Sequence, residues 1–200
     1  MHPLSSEDRA RLLEIARSSI AAAVAQSKFF NPGRIKPSLA EPHGAFVTLR
    51  RRGRLRGCVG QPEPAGPLAD TVSRCAVLAA FEDERFPPVR EEELLELTIE
   101  ISVLSPMMRT TPDQIELGRD GLFIRSGHSR GLLLPQVAAE HRLTREQFLA
   151  ETCLKAGLKR DAWQSPGTEI FSFTAEVFSE PEQDGTTAKP SGSSPDFSQK

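Results

Sequence analysis

Cysteine is scarce in this chain. Cys58, Cys75 and Cys153 are the only three, widely spaced and with no Cys-x-x-Cys pair. An odd, unpaired set argues against a disulfide scaffold or a structural zinc site and points to a reducing cytoplasm. Net charge is small as well, −2 with a pI near 6.1, so bulk electrostatics would not drive broad nucleic-acid or membrane binding. Apolar runs are short. No window nears the roughly 20 residues needed to cross a bilayer, and Met1 to Asp8 lacks the basic start and apolar core of a signal peptide. His43, His128 and His141 share no metal-ligand spacing. Gly-x-Ser-x-Gly elbow, phosphate loop, dinucleotide fingerprint and internal repeat are all missing. Neither a metal nor a cofactor is therefore expected.

What remains is an ordinary soluble composition, 38% hydrophobic and 26% charged over 200 residues, enough to bury a full core. Ser5 or Ser6 caps a first helix with Leu12, Ile15, Ala16, Ser19 and Ala23 on one face. Ala45, Val47 and Leu49 alternate with Phe46, Thr48 and Arg50 as a strand, Gly53 turns, and Arg54-Leu55-Arg56 starts a return strand. Gly66-Pro67 opens a second helix whose stripe is Leu68, Val72, Cys75, Ala76 and Ala79. Leu97 to Val103 is the cleanest strand. A short meander follows around Leu122 to Ile124 and Leu132 to Leu134. Pro135 starts a short helix, and Thr144 with Gln147 boxes the start of another, ended by Gly157. Phe171, Phe173, Ala175 and Val177 read as one last strand, and the polar segment beyond Glu180 as a disordered tail. Hairpins with helices grouped around them indicate α+β.

The most informative stretch is Leu55-Arg56-Gly57-Cys58-Val59-Gly60. Two glycines three apart allow main-chain amides to converge on one point. Arg56 brings fixed positive charge and Cys58 a potential thiolate. If the strand runs unbroken to Cys58, Arg54, Arg56 and Cys58 share a face; a bulge would break that. Gly57 to Gly60 also mimics the Gly-x-x-Gly loop of a KH module, but a strand rather than a helix precedes it.

With these segments in place the chain resembles the AMMECR domain family, the AmmeMemoRadiSam system protein A type. The matching blocks are Gly44 to Leu49, Leu55 to Gly60, Arg85-Phe86-Pro87-Pro88-Val89, Ile99 to Leu104, Gly131 to Ala138 and Cys153 to Leu158. The family favours isoleucine where Val59 stands, and the chain departs again at Leu143 and at Glu82-Asp83-Glu84. The resemblance implies a main antiparallel sheet packed with helices, a smaller β-rich lobe and a cleft between them. On the chain this becomes a main lobe of 1–105 and 136–180, a small lobe of 106–135 and a tail of 181–200. It implies no settled reaction, but suggests a Memo-type or radical SAM protein as partner.

Each candidate residue has a plainer reading beside it. Cys58 is a nucleophile if the Arg56 guanidinium and oriented amides lower its pKa, or a small residue filling a tight place. Cys75 and Cys153 are core residues. Arg50 to Arg52 decorate a hairpin tip, whereas Arg56 adjoins the glycines as an anion clamp. Glu100 is a cleft acid or base, or one side chain of a half-exposed sheet face. Asp83 and Arg85 form an ion pair lining the same cleft or tying a helix end to its loop. Arg130 matches a basic family position in the loop that also holds His128.

Three functions follow. The first is a cytoplasmic protein binding a small anionic ligand, or a protein partner, at Arg56, Gly57, Val59, Gly60, Asp83, Arg85 and Arg130. The second is a thiol-dependent enzyme using Cys58, with Glu100 or His128 carrying the proton. The third is a scaffold acting through its tail.

Overall fold

Ser5 and Thr144 each do what their position in sequence suggests. The Ser5 hydroxyl accepts the Asp8 amide at 3.1 Å and starts α1, Ser6–Val24. Leu12, Ile15, Ala16, Ser19 and Ile20 of α1 are buried, the spacing of one helical face. The Thr144 and Gln147 side chains each cap the other's backbone amide at the start of α5, Arg145–Lys155. The computed structural model describes residues 3–26, 30 and 32–181. The tail expected beyond Glu180 lies, apart from Pro181, outside the described residues.

Two antiparallel sheets organise the chain. The short α2, Pro37–Ala40, precedes β1, Ala45–Arg51, and β2, Arg54–Gln61. Next comes α3, Leu68–Phe81, then a 3-10 turn at Glu91–Glu96 and β3, Leu97–Leu104. The second sheet uses β4, Met108–Arg109, β5, Gly121–Ser126, and β6, Ser129–Leu133. After α4, Pro135–Glu140, and α5, it gains β7, Glu169–Phe173. The chain then returns to the first sheet as β8, Ala175–Ser179. Strand orders are β2-β1-β3-β8 and β4-β7-β5-β6. The fold is α+β.

Ala45, Val47 and Leu49 of β1 and Ile99, Ile101 and Val103 of β3 share one buried face, over which α1 and α3 pack to form the larger core. The opposite face carries Phe46, Thr48, Cys58 and Glu100, all half-buried.

Two expectations need correction. Residues 136 to 173 belong with the second lobe, not the main one. Phe148, Leu149 and Cys153 of α5 bury with Leu122, Ile124 and Leu133 in a separate core. A helix leaving a sheet covers the nearest apolar face, which here is the sheet it has just left. The helix comes so close that a Cβ on Gly131 would lie 2.4 Å from the Ala156 nitrogen. The expected last strand is also two strands in different sheets. They part at Thr174, whose carbonyl accepts the Ser105 amide while its own amide donates to Ser105 Oγ, both at 2.9 Å. These two crossings, at 105–107 and at 174, join the lobes. Around them lies a third apolar cluster of Leu104, Phe123 and Phe173, with Phe46 packed against it.

Candidate functional site

The Leu55 to Gly60 segment is a strand, not a loop. It forms the outer edge of the first sheet, and its glycines serve close packing. A Cβ on Gly57 would fall 2.1 Å from the Ala79 carbonyl oxygen of α3. On Gly60 it would fall 2.0 Å from the Phe46 ring. No convergence of amides results.

Arg56 and Cys58 do not share a face. The register shifts at Leu49/Arg50, with Leu49 opposite Gly57 and Arg50 opposite Leu55, so Arg56 is the extra residue of a bulge. Its guanidinium turns into the protein and grips Glu93, with Nε to Oε1 and Nη2 to Oε2 both at 2.9 Å. Arg51 reaches the same Glu93 at 3.1 Å. The Arg56 hydrogen bond above all pulls the Glu93 carboxyl down to about 2. Arg56 is therefore one half of a buried ion pair, and Gly57 and Val59 lie on the helix-covered side with Leu49 and Val47. The structure does not assemble these three as an anion clamp.

Of the other candidates, Cys58 touches Asp83 directly. Its register row runs Cys58, Thr48, Glu100 and Ser179 across all four strands. Its amide donates to Asp83 Oδ2 at 2.8 Å, and Arg85 clamps Asp83 through Nε at 2.9 Å and Nη2 at 2.8 Å. That pairing is the main reason the Asp83 carboxyl titrates below the usual range. Arg85 itself stays exposed and leans over the Phe86 ring at 5.6 Å. The pair ties the end of α3 to the edge strand.

The thiol is held in its neutral form. Burial pushes the Cys58 pKa up and outweighs the Thr48 hydrogen bond and the Arg85 charge that oppose it, with smaller upward pushes from the Asp83 and Glu100 charges. Thr48 Oγ1, at 3.3 Å, is the one side-chain hydrogen-bond partner of the sulfur among the described residues. Glu100 stands one strand beyond Thr48, and His128 sits exposed on the turn between β5 and β6. A thiol base is not in place. Cys75 is pushed to about 11, mainly by burial, and Cys153 is raised for the same reason. Both are core residues.

The concave feature lies elsewhere, at the junction of the lobes. It is a cleft of about 250 Å³. Phe123 and Phe171 enter it from the second lobe, Met107 from the linker, and four prolines line it from the first lobe and the linker. Its polar lining residues are His43, Glu63, Ser105 and Arg125. The His43 ring shares a hydrogen bond with the Leu104 carbonyl at 3.2 Å through Nδ1. Arg125 lies over the Phe171 ring at 5.3 Å, with its Nε donating to Glu169 Oε2 at 2.8 Å. Arg130 is nearby on β6, opposite Arg125, and reaches back to Glu63 at 2.9 Å. Gly44 and Pro62 border the cleft, while Arg56 to Gly60 do not.

Sequence reasoning named Arg130 but missed Arg125, Phe123, Phe171 and Glu63. The available signal was period-2 alternation: Phe123 and Arg125 share a face of β5, as Phe171 and Glu169 do on β7. Among the described residues, no group of three or more His, Cys, Asp or Glu side chains converges as metal ligands. No helix among them is long and apolar enough to cross a membrane.

Known proteins are similar to this chain in fold and sequence. A solved structure, the uncharacterized protein PH0010 from Pyrococcus horikoshii, superposes with a TM-score of 0.79 at 42% identity. It covers 84% of this chain and 89% of its own. A Thermococcus gammatolerans protein is 44% identical over 192 residues, 90% of this chain and 94% of the relative. One from Methanothermobacter thermautotrophicus is 42% identical over 186 residues, covering 89% and 97% respectively. The AMMECR1 family model matches residues 13–178, which takes in both sheets, the crossings at 105–107 and 174, and the cleft between them. The chain belongs to the AMMECR1 family.

Proposed function

We propose that this chain is a binding protein for a small ligand that has an apolar body and an acidic group and sits in the inter-lobe cleft. One observation carries the reading. The cleft combines the Phe123 and Phe171 rings with a guanidinium, Arg125, stacked 5.3 Å above one of them. Such a pocket offers an apolar wall and a small number of fixed polar groups, the usual make-up of a small-molecule site. Glu169 takes the Arg125 Nε, and no hydrogen bond engages its Nη groups among the described residues, so donors for an acidic group remain. A volume near 250 Å³ suits a compact ligand. The thiol-enzyme alternative loses support from the neutral Cys58 described above.

The test uses the chain's three methionines. Met107 lines the cleft, whereas Met108 points to solvent with two thirds of its surface exposed. Protein labelled with methyl-13C methionine should show a Met107 shift on titration with phenylacetate, with Met108 unmoved. A silent Met107 at millimolar phenylacetate would reject the reading.

A further inference from the structure

The two arginines at the cleft mouth stand directly opposite each other on β5 and β6. Like charges in that position repel, with Cβ atoms only about 4.5–5.5 Å apart. Each is offset by a carboxylate of different origin. Arg125 takes Glu169 from β7, the next strand of its own sheet. Arg130 takes Glu63 from the other lobe.

Glu63 is placed unusually for a structural ion-pair partner. It lies in the segment Gln61-Pro62-Glu63-Pro64, where the Gln61 side chain donates to the Glu63 carbonyl at 3.1 Å. The flanking prolines restrict the backbone, and all of Pro62, Glu63 and Pro64 line the cleft. Its charge acts on Arg125 as well as on Arg130. The Glu63–Arg130 pair is open to water, with side chains 52% and 56% exposed. A pair that exposed is weakly held and readily exchanged.

Building on the binding reading above, we infer that the Glu63 carboxylate stands in for a ligand carboxylate, which displaces it from Arg130 and bridges Arg125 and Arg130. The ligand class is then a small carboxylic acid with an apolar body, its acid at the Arg125–Arg130 pair and its body against Phe171 and Phe123. Glu63 is a built-in competitor that weakens binding and keeps the pair neutralised when no ligand is present. The exchange swaps one carboxylate for another at Arg130 and releases the Glu63 carboxylate to water.

The experiment titrates phenylacetate, and its neutral near-isostere phenylacetamide, into wild type, Glu63→Gln, Arg130→Gln and the double variant. The Met107 methyl signal reports binding. Glu63→Gln should tighten phenylacetate about three- to fivefold, the range open to an exposed ion pair, and leave phenylacetamide unchanged. Arg130→Gln should weaken phenylacetate, and the double variant should lose the gain from Glu63→Gln. Both side chains are more than half exposed, and matching thermal unfolding of all four proteins confirms the fold. Phenylacetate binding no tighter in Glu63→Gln than in wild type overturns the inference, as does an equal gain for the amide. If both probes move Met107 but Glu63→Gln changes nothing, the competitor idea fails while the cleft reading stands. If neither probe moves Met107 in wild type, both fail together.

Discussion

The edge strand around Cys58 and the cleft at the lobe junction differ in what their polar groups are doing. Around the strand the buried charges are paired inside the protein: Arg56 with Glu93, and Asp83 with Arg85 and the Cys58 amide. At the cleft, Arg125 hydrogen-bonds through Nε alone among the described residues, and Glu63 holds a partner across an open, exposed gap. A cluster of reactive residue types in sequence is thus no guide to where chemistry is available. Satisfied groups stabilise, and partly engaged groups at a concave surface are free to recognise something else.

The largest expected effect tests the strand half of this contrast. Arg56→Ala leaves Glu93, buried in the native state, without its main partner. Breaking one side of a buried pair costs about 3–5 kcal/mol, so the urea midpoint should fall steeply. A midpoint close to wild type would mean that Arg56 is held for function rather than stability. The same pair sets an acid limit. Glu93 titrates near 2 in the fold against an ordinary 4.5. A depressed carboxyl stabilises the fold above its unfolded pKa, so that contribution, roughly 3 kcal/mol, is complete above pH 4.5. It is lost as pH falls from there to about 2. Urea unfolding across that window should show the loss in wild type and a much flatter profile in Arg56→Ala.

Next in size is Gly60→Ala. A methyl at this position would sit 2.0 Å from the Phe46 ring, and Phe46 packs against the third apolar cluster between the lobes. The ring must move, at an overpacking cost of about 1–3 kcal/mol. Because Phe46 touches that inter-lobe cluster, the variant should also disturb phenylacetate binding slightly. A fully wild-type melting curve would show that the ring and strand have slack.

How far all this could be read from sequence differs sharply between fold and site. Helix caps at Ser5 and Thr144, the alternation in β1 and β3, and the apolar stripe of α3 are local patterns, and the structure follows them. The bulge at Arg56 is not local. It depends on the pairing of β2 with β1 and on Glu93, thirty-seven residues away, so strand periodicity alone put Arg56 on the wrong face. Thr174 was invisible for a similar reason, since one alternating run serves two sheets and only long-range pairing reveals the break. The cleft draws residues scattered from positions 42 to 171, and Glu63 reads in sequence only as a charge between prolines.

Arg125→Ala addresses the cleft half of the contrast. The urea midpoint should stay near wild type, because the side chain is not buried in the core. Phenylacetate affinity should drop about tenfold, the usual worth of a hydrogen bond to a charged group. A large loss of stability with unchanged affinity would reverse the roles assigned to the two regions.

The smallest expected effect concerns the thiol. Alkylation proceeds through the thiolate, and burial together with the Asp83 and Glu100 charges holds Cys58 above the usual thiol range. At pH 7 Cys58 should therefore react with iodoacetamide more slowly than free glutathione. It should still react before Cys75 and Cys153, which are only 1% and 0% exposed against a half-buried Cys58. Cys58→Ala removes the acceptor for the Thr48 hydroxyl, which can turn to water on the open sheet face, so stability should change little and phenylacetate binding not at all. Alkylation of Cys58 faster than glutathione would require a thiolate that this arrangement of one hydroxyl, two carboxylates and an already paired arginine does not stabilise, and it would return the edge strand to consideration as the reactive region.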